Sequence, residues 1–242
     1  AESNTRYAQG GIAVVSDFVH DSFEDHIADT LDAGDGLCNR AVVEHVVHHA
    51  PERLHELMQL GADFDRDASG ELILGREGGH KANRIIHHRD VTGLNISTAL
   101  LEKVNALSNI TVLSHHVAID LITGRDDDDN GKSVTVCYGA SVLSLETTKV
   151  EKYMAAVTVL ATGGIGQIYR TTTNPLIATG DGIAMAIRAG AAVSNMEFIQ
   201  FHPTAFRDEQ ASPAFLISEA VRGQGAYLRN HSGERFMFRY HI

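Results

Sequence analysis

The chain has 242 residues, of which 43% are hydrophobic and 21% charged, as in an ordinary folded domain that buries a core. Its formal net charge of −11 argues against nucleic acid as a partner, because phosphate binding needs clustered Lys and Arg. No apolar run is long enough to span a bilayer. The two cysteines, Cys38 and Cys137, lack the spacing of a metal site or a disulfide framework. We therefore expect a cytoplasmic protein with no metal site and no membrane partner.

Three helices are predicted early in the chain. Asp21 followed by Glu24 resembles a capping box that opens the first helix, and Gly34 lies where that helix should end. Asn39 can cap a second helix. Pro51 is predicted to open or kink a third, because proline lacks the amide hydrogen that a helix interior needs.

The middle of the chain mixes loop, helix and strand. Residues 64–93 lack clean periodicity and are rich in Gly, His and charge, which is typical of a site-forming loop. Helices are predicted over residues 94–107 and 180–190. Apolar or alternating runs predict strands at residues 110–113, 117–122, 133–138 and 157–160.

Two of the runs in this region carry further information. The four aspartates at residues 126–129 indicate a solvated hairpin loop in preference to a cation site. Residues 157–160 are largely apolar, which is typical of a strand covered on both faces. The order of elements predicts a mixed α/β fold with an inserted β-meander over residues 1–195, and a second domain over residues 196–242.

The most informative motif is Asn-Met-Glu-Phe-Ile-Gln-Phe-His-Pro-Thr-Ala at residues 195–205, followed by Ser-Glu-Ala-Val-Arg-Gly at residues 218–223. A His or a hydroxyl can donate to a carboxylate, so His202 and Ser218 could bind a small dicarboxylate. Glu219 cannot donate while ionised, and we expect it to orient His202 or the arginine that follows. The alternative is that His202 is a hydrogen-bonded turn histidine with no ligand.

This motif and the sequence Arg-Glu-Gly-Gly-His at residues 76–80 resemble the succinate dehydrogenase/fumarate reductase flavoprotein superfamily, and within it the L-aspartate oxidases. The resemblance runs along essentially the whole chain. It implies that residues 1–195 are an incomplete FAD-binding domain and that residues 196–242 begin a substrate-capping domain. Because those enzymes start with a phosphate-binding turn and carry a catalytic arginine beyond the last residue here, it also implies an internal fragment that is inactive alone.

The resemblance implies that FAD is the cofactor and that separate stretches of the chain contact it. In residues 3–12, paired glycines let backbone amides approach a ring or a phosphate, although such a stretch alone would be an ordinary turn. Asp181 could equally cap a helix, and Ala118 could be a plain strand residue. The implied cofactor contacts are Ser3, Thr5, Ala8, Gln9, Gly10, Gly11, Ala118, Thr162, Gly163 and Asp181.

Glu77 resembles the L-aspartate oxidases in particular. Aspartate differs from succinate by an ammonium group, and a carboxylate near the reacting carbon can pair with it. Without the resemblance, a surface glutamate paired with Arg76 or Arg84 would be the simpler interpretation. The implied catalytic and substrate-binding residues are Glu77, His202, Ser218 and Glu219.

The function that the resemblance implies is FAD-dependent oxidation of L-aspartate to iminoaspartate, with oxygen or fumarate as the final electron acceptor. Its product would feed NAD biosynthesis, and quinolinate synthase is an expected partner. Two alternatives stay open. One is a soluble fumarate reductase or succinate dehydrogenase flavoprotein, which Glu77 disfavours, and the other is a non-catalytic fragment without FAD.

Overall fold

The computed structural model describes residues 2–202, 204–206, 208, 212–218, 221 and 225–240. Its packing forms two compact units. The helical unit comprises Thr5–Leu107 and Ile217–Ile242, and the sheet unit comprises Ala1–Asn4 and Ser108–Leu216. No helix in the described ranges is long and apolar enough to cross a membrane. The predicted mixed α/β class is confirmed, while the predicted domain boundary at residue 196 stays a prediction.

The helical unit contains three helices and a small antiparallel sheet. The helices are α1 (Phe23–Ala33), α2 (Arg40–Gln59) and α3 (Thr92–Ala106). The strands are β1 (Ile12–Ala13), β2 (Leu74–Gly75) and β3 (Ile85–Ile86), in the order β1-β3-β2. Short 3-10 helices lie at Thr5–Tyr7 and Phe236–Arg239. Residues 64–93 thus form the predicted loop region, interrupted by two short strands.

The N-termini of α1 and α2 are each capped by a polar side chain. Asn39 accepts hydrogen bonds from the first amides of α2, so its predicted capping role is confirmed. The prediction for α1 was wrong by one residue: Ser22 is the cap and accepts from the amide of Asp25. Asp21 is buried instead, because it pairs with Arg84.

The prediction that Pro51 opens or kinks a third helix was wrong. Pro51 lies inside α2, which continues from Arg40 to Gln59. Proline removes one intrahelical hydrogen bond, but α2 buries Val47 before it and Leu54 after it. Burial of an aliphatic side chain contributes about 1.5–3 kcal/mol, and packing on both sides of Pro51 therefore outweighs the missing bond.

A single hydrophobic cluster holds the helical unit together. It joins α2, α3 and the small sheet, and its buried members are Val14, Leu54, Ala62, Phe64, Ile86 and Ala99. Because Ile86 of β3 belongs to this cluster and Ile12 of β1 packs against it, the core fixes both strands.

The sheet unit is built on a β-meander. Its long strands are β4 (His116–Asp127) and β5 (Ser133–Ser144), followed by β6 (Val150–Met154), all antiparallel in the order β4-β5-β6. The strands predicted at residues 117–122 and 133–138 are therefore confirmed but are longer, and the acidic run reaches into β4 before the turn. Helix α4 (Asp181–Arg188), a 3-10 helix at Gly166–Ile168 and the pair β7 (Ala205–Phe206) and β8 (Phe215–Leu216) complete this unit.

Two predicted strands are absent from the part of the chain that the structure describes. Residues 110–113 and 157–160 have no strand pairing, and Val157 and Val159 are 77% and 79% exposed. An apolar run shows that a segment can be buried, but a strand also needs neighbours for its backbone groups. No described strand supplies a ladder to either run, so neither forms.

Candidate functional site

The predicted flavin-contacting segment is held against the start of α3. The amide of Gly93 donates to the carbonyl of Ala8 at 3.0 Å, and the amide of Ala8 donates to Thr5 at 3.1 Å. A Cβ at Gly93 would lie 1.8 Å from the Thr5 carbonyl oxygen, so only glycine permits this approach. Thr5 and Ala8 are thus fixed by α3, whereas Ser3 falls in the sheet unit.

Gln9, Gly10 and Gly11 continue this segment into β1. A Cβ at Gly11 would lie 2.4 Å from the Ile86 carbonyl oxygen, so the pairing of β1 with β3 requires glycine here. The side-chain oxygen of Gln9 is buried and has no hydrogen-bond partner among the described residues. A buried orphan acceptor fits a donor on a bound ligand.

Glu77 meets the same segment. Its Oε1 would lie 3.0 Å from a Cβ placed on Gly10, so the carboxylate packs directly against the Gly10 backbone. The structure therefore brings together the residue predicted to bind an ammonium group and the segment predicted to contact the flavin.

The same loop carries Arg84, which is the centre of a buried ionic cluster and is linked to Glu77 through His80. This side chain is fully buried, and its Nε and Nη2 donate to both oxygens of Asp21 at 2.9 and 2.7 Å. Its Nη1 donates to Asp29 at 2.7 Å. Burial opposes the charge on Arg84, but the two carboxylates prevail and raise its pKa. Burial also opposes the Asp29 carboxylate, but the Lys81 amide and Arg84 lower its pKa.

In the sheet unit, the glycine turn at residues 162–164, which holds the implied cofactor contacts Thr162 and Gly163, packs against the first turn of α4. A Cβ at Gly182 would lie 1.9 Å from the hydroxyl oxygen of Thr162, so the two segments touch. Gly163 has a left-handed φ of 74°, and a Cβ there would meet nothing within 4 Å. Open space beside a glycine turn and a helix N-terminus suits a phosphate.

The alternative role of Asp181 as a helix cap is not what the structure shows. Gly180 occupies the cap position with a left-handed φ of 78°, and Asp181 is the first residue of α4. The side chain of Asp181 is exposed and remains available to a ligand.

Ala118 is connected to α4 through its neighbours. The register of β4 and β5 shifts between Ala118 and Asp120, which marks a bulge at Ile119. Arg188, the last residue of α4, donates to the Ile119 carbonyl at 2.8 Å and to Asp120 at 3.1 Å. Ala118 therefore lies beside a strand irregularity that α4 fixes in place.

The predicted dicarboxylate ligands have local partners. Nδ1 of His202 lies 2.7 Å from the Thr204 carbonyl, and the Thr204 amide donates to the same nitrogen at 3.2 Å, so both of these ring contacts are with Thr204. Ser218 donates its hydroxyl to Asp90 at 2.7 Å, which uses the proton that a substrate contact would need. Glu219 lies outside the described residues, and the ligand roles of all three stay predictions.

Asp21 and Asp29, which pair with Arg84, were not identified from the sequence as parts of this site. Asp21, Asp29 and His80 surround Arg84, and Asp90 holds Ser218. Asp21 and Arg84 are 63 positions apart, so no local pattern connects them. Among the described residues, no group of three or more side chains could hold a metal ion.

The chain matches the model of the FAD binding domain family over residues 1–241. The chain belongs to this family. The orphan acceptor of Gln9 and the open glycine turn at residues 162–164 both fit FAD, so this FAD-binding chain carries two stretches that suit its cofactor.

Similar proteins refine the comparison. An L-aspartate oxidase from rice, named as chloroplastic, is 50% identical over 99% of this chain and 37% of its own length. An L-aspartate oxidase of Ralstonia nicotianae is 50% identical over 98% of this chain and 44% of its own length. The structure of a quinol fumarate reductase from E. coli superposes with a TM-score of 0.87 at 33% identity, covering 98% of this chain and 38% of that one. The chain thus spans less than half the length of these relatives, and the resemblance to the succinate dehydrogenase/fumarate reductase flavoproteins is confirmed.

Proposed function

We propose that the protein carrying this chain is an FAD-dependent L-aspartate oxidase that forms iminoaspartate. The observation that carries the proposal is the Glu77 carboxylate packed against Gly10, inside the segment assigned to flavin contact. The 50% identity to L-aspartate oxidases from a plant and a bacterium supports it.

In this proposal Glu77 orients the substrate through its ammonium group. A charge-assisted hydrogen bond is shorter and stronger than a neutral one, so it can fix one face of the α-carbon. His202 and Ser218, the latter once released by Asp90, would bind the carboxylates. When bound, FAD supplies the two-electron acceptor for oxidation of the α-carbon, and the protein supplies orientation.

Replacing Glu77 by glutamine in the full-length protein tests the proposal. Loss of a hydrogen bond to a charged group costs roughly 1.5–3 kcal/mol, or about one to two decades in kcat/KM for aspartate. Fumarate has no ammonium group, so its reduction should change little. Glu102→Gln, at an exposed position on α3, is the matched control. Equal losses with both substrates would make Glu77 a structural residue and remove the basis of the proposal.

A fumarate reductase or succinate dehydrogenase flavoprotein is the second candidate. The superposition with the E. coli fumarate reductase supports it, because dicarboxylate chemistry is common to both. The two candidates differ in the need for a carboxylate at position 77. Steady-state turnover with aspartate and with succinate, measured on one preparation, separates them.

We also propose that the protein acts in the cytoplasm and passes its product to quinolinate synthase for NAD biosynthesis. Both cysteines are free, which fits a reducing compartment. Co-purification of quinolinate synthase activity with the protein would support the partnership.

A further inference from the structure

His80 completes the shell of polar groups around Arg84. Nη1 of Arg84, which also donates to Asp29, lies 3.2 Å from Nδ1 of His80. A guanidinium has donors but no acceptor, so Nδ1 of His80 must accept this hydrogen bond and carry no proton. The contact therefore requires the neutral ring with its proton on Nε2.

His80 also closes the turn that carries Glu77. The backbone amide of His80 donates to the carbonyl of Glu77 at 3.3 Å. The next amide, of Lys81, donates to Asp29 on α1 at 3.1 Å. Since the core and α1 fix Arg84 and Asp29, the turn at residues 77–80 is fastened at one end by two contacts to the ionic cluster.

The charges around His80 come from α1 and from the loop itself. They are Asp21, His26 and Asp29 on or before α1, and Lys81 and Arg84 on the loop. The ring of His26 lies 6.0 Å from that of His80 between centroids. Burial and the Arg84 cation lower the pKa of His80, and the two aspartates oppose this only in part.

We propose that His80 is a positioning residue that holds Glu77 in place for the substrate ammonium group only while the His80 ring is neutral. A proton on Nδ1 removes the acceptor from Arg84 and sets a second cation beside it, which releases the turn at residues 77–80. This inference rests on the proposed aspartate oxidation. It predicts that the affinity for an amino-dicarboxylate falls on acidification. The affinity for a dicarboxylate without an ammonium group should not fall with it.

The first test compares KM for aspartate with KM for fumarate from about pH 8 down to 5, the range in which histidine titrates, because the lowered pKa of His80 places its titration at the acid end. In the wild-type protein the ratio should rise on the acid side, by at most about tenfold per pH unit because one proton is taken up. His80→Asn keeps an acceptor near the position of Nδ1 and does not titrate, so its ratio should stay flat. His55→Asn, at an exposed position on α2, should retain the wild-type profile.

The second test needs no turnover. Hydrogen exchange of the amides at residues 77–81, corrected for the intrinsic effect of pH, should speed up on acidification in the wild-type protein and not in His80→Asn. A wild-type protein that never oxidises aspartate but shows this exchange pattern would refute the proposed function and leave the His80 contact standing.

Three results would overturn the inference. The KM ratio of the wild-type protein could be independent of pH, or His80→Asn could show the same pH profile of this ratio. The third is a corrected rate of hydrogen exchange at residues 77–81 that does not change with pH. If His80→Asn fails to fold, selective histidine labelling and NMR of the wild-type protein replace it. A His80 ring that gains its proton without faster exchange at residues 77–81 would then decide against the proposal.

Discussion

Replacement of Gly93 by alanine should force α3 away from the flavin-contacting segment. The added Cβ would lie 1.8 Å from the Thr5 carbonyl oxygen and 2.8 Å from the Cβ of Ala8. Non-bonded atoms are comfortable at about 3.5 Å, so the two segments must separate by roughly 1.5 Å. The hydrogen bond from the Gly93 amide to Ala8 would then break.

The magnitude of this effect follows from three contributions. Overpacking costs about 1–3 kcal/mol, and a buried backbone group that loses its partner costs about 1–3 kcal/mol. Alanine regains about 1 kcal/mol of helix propensity over glycine. The net loss is about 3 kcal/mol, which for a chain of this size lowers Tm by roughly 6–12 °C.

Thermal unfolding followed by flavin fluorescence measures both stability and cofactor release. Gly78→Ala is the matched control, because its φ lies outside the left-handed region and its added Cβ meets nothing within 4 Å. That control should be neutral or gain about 0.4–1 kcal/mol. A Gly93→Ala protein that unfolds at the wild-type Tm and keeps its flavin would show that the close approach of Gly93 to Thr5 is not needed.

Three further predictions concern the helical unit. Arg84→Met leaves two buried carboxylates without their cation and should cost about 3–5 kcal/mol in urea unfolding; a loss below about 1 kcal/mol would mean that water reaches the cluster. Ser22→Ala removes the cap of α1 and should cost about 1 kcal/mol in the same assay, and no change would place the true cap elsewhere. Burial and Arg84 lower the pKa values of His26 and His80 from 6.5 in the folded chain. On acidification the unfolded chain therefore takes up protons at a higher pH than the folded chain, and stability should be lost as the pH falls below 6.5. A urea midpoint that is unchanged on acidification would contradict this sign.

Elements with a local signal were predictable from the sequence. Asn39 stands before an apolar periodic run and caps α2 as expected. The alternation that predicted a strand at residues 133–138 is the start of β5. In both cases neighbouring residues carry the whole signal, so no knowledge of the tertiary structure was needed.

Elements that depend on distant partners were not predictable. Asp21 looked like a cap, but its carboxylate is taken by Arg84, which leaves Ser22 to cap α1. Pro51 looked like a break, but packing of Val47 and Leu54 carries α2 through it. In each case a tertiary contact outweighs a local preference of about 1–3 kcal/mol.

The candidate site also has a part that was predictable from the sequence and a part that was not. The motif around Glu77 and the paired glycines could be read directly, and the structure places Glu77 against Gly10. The role of His80 could not be read, because it depends on the side chain of Arg84, which reaches its carboxylate partners across more than fifty positions.

The exposed run at residues 155–161 has a consequence for handling the chain. Its sequence, Ala-Ala-Val-Thr-Val-Leu-Ala, has no charge and no proline, and Val157 and Val159 face solvent. An exposed, uncharged, apolar segment of this kind is prone to pair as a strand with another copy of itself. Whenever this segment stays uncovered, during synthesis or in a purified preparation, self-association through it will compete with folding, and a single lysine at Val157 or Val159 should suppress it.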